Sequence, residues 1–152
     1  MPRIALISDT HGLLRPQALA ALQGYDAVIH AGDIGPPELL RQLEAIAPLT
    51  VVRGNNDRTA WALELPHTVL LDVQGVRVCV VHDVKEAPRP LPPGVRVVVS
   101  GHSHKPACAE SAGVLWVNPG SAGPRRFKLP VSVGELLIDG NDVRARLRML
   151  AV

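Results

Sequence analysis

Arg3-Ile4-Ala5-Leu6-Ile7-Ser8-Asp9-Thr10-His11-Gly12, near the start of the chain, sets the pattern from which the fold can be read. A short apolar run passes abruptly into Asp-Thr-His-Gly. An apolar run of that length without polar alternation reads as a strand buried on both faces. The phrase returns twice. Asp26 to His30 runs on into Gly32-Asp33, and Leu49 to Arg53 into Gly54-Asn55-Asn56-Asp57. Two helical stretches lie between. Pro16 opens PQALAALQG, with Gly24 as its stop. Pro37 opens PELLRQLEAIA, where Leu39, Leu40, Leu43 and Ile46 share one face. Strand, helix, strand, helix, strand at this spacing predicts an α/β fold with parallel βαβ units and right-handed crossovers.

The second half is richer in hairpins. Thr68 to Val73 and Val76 to His82 flank Gln74-Gly75, and Ser132 to Ile138 and Asp142 to Leu150 flank Asp139-Gly140-Asn141. Val95 to Ser100 reads as another buried strand, ending in Gly101-His102-Ser103-His104, and Val114 to Val117 leads into Asn118-Pro119-Gly120-Ser121. Lys85 to Gly94 carries Pro88, Pro90, Pro92 and Pro93, which excludes a helix and predicts an exposed surface loop. No repeat or linker divides the chain, so residues 1–152 are expected to form a single domain.

Apolar residues make up 47% of the chain, which excludes a disordered class. Aromatics are only 3%, which argues against base-stacking modules and stable nucleic-acid binding. Net charge is +2, and no dense Lys/Arg run stands out. Arg144, Arg146 and Arg148 alternate as the solvated face of a strand. Cys79 and Cys108 lie in or beside apolar runs outside any C-x-x-C pair and are expected to be buried thiols. The N-terminal apolar run is too short for a signal peptide, and no stretch approaches a membrane span, so a cytoplasmic location is expected. A homo-oligomer is compatible with the size, although no heptad or interface stripe specifies one.

Five apolar runs end in residues of metal-ligand type: Asp9 and His11, Asp33, Asn55, His82, then His102 and His104. In open α/β sheets such loops converge at the carboxyl ends of the strands. Taken singly, the Asp and Asn clusters are common turn signals and a lone His82 reads as structural, while Gly101-His102-Ser103-His104 is the least easily dismissed. Their conjunction, always after a strand, points to a site. Carboxylates, an amide oxygen and imidazoles without a thiolate suit Mn, Fe, Co, Ni or Zn. Seven ligands exceed the needs of one ion. Two ions about 3.5–4 Å apart with a shared carboxylate fit the number, and Asp33 is the candidate bridge. Such a centre suits phosphoester hydrolysis by a hydroxide held between the metals.

The order D-x-H, G-D, G-N, H, G-H-x-H resembles the calcineurin-like metallophosphoesterases, and among them the small single-domain phosphodiesterases of the YfcE type. It is carried by Asp9-Thr10-His11, Gly32-Asp33, Gly54-Asn55, His82 and Gly101-His102-Ser103-His104. The stretches SDTHG, VIHAGDI and NPGS match as well. The resemblance implies a four-layer sandwich, two mixed β-sheets face to face with helices outside. It implies that Asp9, His11 and His104 bind one metal, that Asn55, His82 and His102 bind the other, and that Asp33 bridges. It further implies a metal-dependent phosphodiesterase acting on a small phosphoester, with two divalent ions, manganese foremost. A phosphomonoesterase and a non-catalytic scaffold are the alternatives.

Three departures stand out. Asn56 occupies the position where many relatives carry a leaving-group acid, His, and an amide cannot donate that proton. Asp83 replaces the usual Gly after His82. The Pro-rich segment replaces a crossover helix. His30 is read as a buried orienting or structural residue, Asp57 as a turn cap or an orienter of a neighbour, and Arg15 as a structural residue or a phosphate contact.

Overall fold

The computed structural model describes Met1–Val152 and turns the apolar runs into ten strands. β1 (Arg3–Ile7), β2 (Ala27–His30) and β3 (Leu49–Val51) pair in parallel, with Ile4 opposite Ala27 and Val28 opposite Leu49. The crossovers are α1 (Pro16–Ala21) and α2 (Pro37–Glu44), each opening on its proline. Both helices end earlier than their apolar pattern suggests. Their last turns tighten into shorter-range bonds, such as Gln23 N–H to Ala20 O at 3.3 Å and Ile46 N–H to Leu43 O at 3.0 Å.

β4 (Thr68–Val73) and β5 (Val76–Val81) form the expected hairpin. Gln74 and Gly75 both have positive φ, 49° and 89°, the mirror-image turn that matches strand twist. β6 (Val95–Val99) lies parallel to β5, and β8 (Val114–Asn118) parallel to β6. β9 (Ser132–Asp139) and β10 (Asp142–Met149) return to the first sheet, where β9 runs antiparallel to β1. β7 (Ala107–Ser111), on the edge of the second sheet, was not expected. All five of its residues are exposed, so no burial pattern marks it, and pairing with β8 alone makes it a strand. The orders are β10-β9-β1-β2-β3 and β4-β5-β6-β8-β7.

Alternation along the strands assigns the layers. Ile4, Leu6, Val78, Val80, Val97, Leu136 and Ile138 meet between the sheets. Ala5, Ile7 and Val28 face the other way, against Ala18, Leu39 and Leu43 of the helices. On the outer face of the second sheet, Cys79, Val81 and Val98 are covered by Ala87 and Leu91 of the Pro-rich loop. Two mixed sheets therefore pack face to face with helices outside the first, and the loop supplies the remaining layer. Arg77 Nη1 anchors that loop by donating to Pro93 O at 2.7 Å.

Cys79 is buried, but Cys108 is exposed, contrary to expectation, because it lies on the edge strand β7. The β10 arginines face solvent as expected. No helix is long and apolar enough to cross a membrane.

Candidate metal centre

The ligand-type residues follow β1, β2, β3, β5 and β6, and their loops meet at one end of the sandwich. Their backbones are unusual. Asp9, His11, Asp33, His102 and His104 all have positive φ, between 46° and 72°. Each such non-glycine residue costs about 1–3 kcal/mol, and strain of this kind gathers where function requires it. Close approach of the loops also requires two glycines. A Cβ on Gly101 would lie 2.0 Å from Ser8 Oγ, and one on Gly54 would lie 2.2 Å from Asp33 Oδ1.

Asp9, His11 and His104 form one group of converging ligand atoms. Asp9 Oδ2 accepts from Ser8 Oγ at 2.7 Å and from the His102 N–H at 3.0 Å. Its Oδ1 is buried and accepts no hydrogen bond. That oxygen lies 3.4 Å from His104 Nε2 and 3.7 Å from His11 Nε2, and the two nitrogens are 3.3 Å apart. A buried carboxylate oxygen without a donor is costly, and a cation among these three atoms removes the cost. The donor set thus fits a divalent metal.

Asp9, Asp33 and His82 form the second group. Asp33 Oδ2 is 3.3 Å from His82 Nε2 and 3.6 Å from His11 Nε2, so it faces both halves. Asp9 Oδ1 does so too, at 3.9 Å from His82 Nε2. Asn55 Oδ1 lies 3.0 Å from His82 Nε2 and 3.2 Å from His102 Nδ1. All seven residues read from the sequence are thus brought together. The nitrogen that His102 turns toward Asn55 is Nδ1, a detail that residue type could not reveal.

The electrostatics of the site are those of buried carboxylates facing imidazoles. Burial pushes Asp33 upward, but His82 and the Asn56 N–H outweigh it and hold the carboxyl far below the usual range. Asp9 is lowered against its burial by His11 and Ser8. Burial would lower His82, yet Asp33 and Asp9 push it up to about 9. His11 is raised by Asp9, while His104 is lowered by burial. Buried carboxylates raise the imidazoles they face, and the same field favours a bound cation.

The surrounding residues set the ligands' orientation. His82 Nδ1–H donates to Ala31 O at 2.7 Å, which frees Nε2. His30 is fully buried, and burial lowers it to about 4, so it is neutral. Its Nδ1 accepts from Gly32 N at 3.0 Å and its Nε2 bonds Thr10 Oγ1 at 3.0 Å, tying the first ligand loop to the second. Asp83 Oδ1 caps the following turn at Lys85 N, while Oδ2 sits 3.7 Å from His102 Nε2. Asn118 holds Gly101 O at 2.9 Å, and Ser121 Oγ donates to Asp9 O at 3.0 Å, so this late turn shapes the site without contributing a ligand.

Asp57 and Arg15 hold backbone in place, and one charge beside the site belongs to no ligand loop. Asp57 does more than cap its own turn: it accepts from the backbone N–H groups of Asp33, Ile34 and Gly54 at 2.8–2.9 Å. Arg15 serves structure, donating to Gly123 O at 3.0 Å. Arg126, in the exposed stretch Arg125-Arg126-Phe127-Lys128, places a charge felt at both His11 and His104. That basic cluster is too short to register as a charge run.

A two-sheet sandwich with two adjoining Asp/His groups at its strand ends has the architecture of a metallophosphoesterase. The family model described as the calcineurin-like phosphoesterase superfamily domain matches residues 2–141, and the chain belongs to that superfamily. A protein of Methanothermobacter thermautotrophicus described as a probable metallophosphoesterase is 35% identical, over 95% of this chain and 90% of its own. The crystal structure of Chaetomium thermophilum Vps29 superposes with TM-score 0.79 at 20% identity, covering 98% of this chain and 96% of that one. YfcE, a phosphoesterase from E. coli, superposes with TM-score 0.68 at 24% identity, covering 88% and 87%. These two structural likenesses speak for the fold.

Proposed function

We propose that the chain is a metal-dependent phosphodiesterase acting on a small phosphoester in the cytoplasm. The observation that carries this reading is Asp9 Oδ1, buried without a donor and facing imidazole nitrogens of both ligand groups. Asp9, His11 and His104 would hold one divalent ion, and Asn55, His82 and His102 the other, with Asp33 between them. Manganese is the first choice, and nickel, iron, cobalt and zinc suit the same donors. When bound, such a pair lowers the pKa of water toward neutrality and neutralises phosphoryl oxygens.

The chain's own residues do the rest. Asn56 pins both oxygens of Asp33, whose low pKa keeps it ionised. Ser8 and the His102 N–H fix Asp9 Oδ2, so that Oδ1 alone faces the centre. Asp83 faces His102 Nε2 and leaves Nδ1 for the site. Asn56 has no acidic proton for a leaving group, which favours diesters and esters with good leaving groups.

The test is hydrolysis of bis(p-nitrophenyl) phosphate by manganese- or nickel-loaded protein. Activity is expected, with a loss of about 10²-fold or more in Asp33→Ala and in His102→Ala. Undiminished turnover in both variants after thorough chelation would sink the proposal. A preference for monoesters over diesters with the same leaving group would instead make the chain a phosphomonoesterase. No hydrolysis with any of the metals would leave a scaffold.

A further inference from the structure

Beside the centre, the loop after β3 and the start of α2 border a half-open cleft of about 380 Å³. It is lined by Gly35, Pro36, Asn56, Arg58 and Trp61 among others. Asn56 is the link, since it lines the cleft while its Nδ2 donates to Asp33 Oδ2 at 3.0 Å. Arg58 Nε donates to the Asn55 carbonyl at 3.1 Å. That bond holds the guanidinium next to a ligand residue, and its Nη groups make no ion pair. Trp61 is half-buried, packed against the helix-side core, so its ring is a fixed wall. No metal-ligating role accounts for either residue.

An anion-seeking fork and a half-buried aromatic wall, joined to the candidate metal centre through Asn56 and Asp33, fit one kind of organic group. The group is planar and is joined to phosphate through a polar spacer. We propose that this cleft binds the nucleoside part of the substrate, with Trp61 against the base and Arg58 on sugar or phosphate oxygens, so that the substrate class is a nucleotide phosphoester. This rests on the phosphodiesterase reading above and names the substrate of the same site. It asks for a single nucleotide, in keeping with a chain that has few aromatics.

Two measurements test it. The first compares manganese-loaded protein on thymidine 5′-(p-nitrophenyl phosphate) and on methyl p-nitrophenyl phosphate, which share a leaving group. The nucleoside ester is expected to have the higher kcat/KM by about tenfold, mainly through KM. That preference should fall to near unity in Trp61→Leu and in Arg58→Ala, and persist in Trp61→Phe, which keeps a ring and guards against mere loss of packing. The second is equilibrium binding, read as quenching of Trp61 fluorescence in a Trp116→Phe background. Thymidine 5′-monophosphate is expected to quench and to bind about tenfold tighter than inorganic phosphate. Equal affinity for the two, or an undiminished preference in Trp61→Leu, overturns the proposal. If neither ester is hydrolysed, the phosphodiesterase reading fails, and the quenching experiment still decides whether the cleft takes a nucleotide.

Discussion

Asn56 donates to Asp33 twice, through its backbone N–H to Oδ1 at 2.9 Å and through its amide to Oδ2 at 3.0 Å. The amide therefore faces the carboxylate it steadies, at the position where many relatives carry an acidic imidazole. Asn56→His should restore proton donation to departing alkoxides. The expected outcome is a gain of about 10²-fold in kcat/KM for an alkyl diester relative to a p-nitrophenyl diester. Using the ratio cancels any loss from the missing amide bond, and an unchanged ratio would refute a donor role for this position. The seven ligand-type residues were legible because each follows an apolar run and belongs to a type with metal-binding chemistry. Which imidazole nitrogen faces the centre, and where Asn56 points, depend on left-handed backbone at Asp33 and His102 that residue type does not encode.

Among elements, the loops after β2 and β3 are clamped together by one carboxylate. Asp57 is buried, and its Oδ2 accepts from Asp33 N and Gly54 N while Oδ1 accepts from Ile34 N. Asp57→Asn turns one acceptor into a donor facing a backbone N–H. A bond to a charged acceptor is worth about 1.5–3 kcal/mol, so the variant should lose at least about 2 kcal/mol of stability. Urea denaturation of the metal-free protein measures this, and an unchanged midpoint would mean that the clamp is idle. The strand pattern was readable wherever burial imposes it, as in β1 and β5. It failed at β7, whose residues are all exposed, and at the helix ends, where the last turn tightens while apolar spacing continues. The layer over Cys79 and Val98 was half legible. Prolines keep an α-helix out of this segment, which has only a 3-10 turn at Val84–Glu86 ahead of the first proline, and only packing shows Ala87 and Leu91 covering the sheet.

For the whole molecule, the centre is a cross-link between sheets. Asp9, His11, Asp33 and Asn55 follow strands of the first sheet, and His82, His102 and His104 follow strands of the second. Metal held by both would stabilise the folded chain by mass action. At a free concentration of a hundred times Kd this is about 2.7 kcal/mol per site, or roughly 5–10 °C in Tm for a chain of this size. The effect depends on pH in a definite direction. In the metal-free chain, Asp33 and Asp9 raise His82 from 6.5 to about 9. A raised histidine contributes stability that is full below 6.5 and lost as pH rises through 9. Metal binding needs the neutral ring, so loading must expel that proton, at a cost that vanishes toward pH 9. The difference in Tm between manganese-loaded and chelated protein should therefore widen from about pH 6 to about pH 9. Calorimetric melts at three pH values within that span measure it. A difference that stays constant or narrows would show that His82 is not deprotonated on loading, and would remove it from the ligand set.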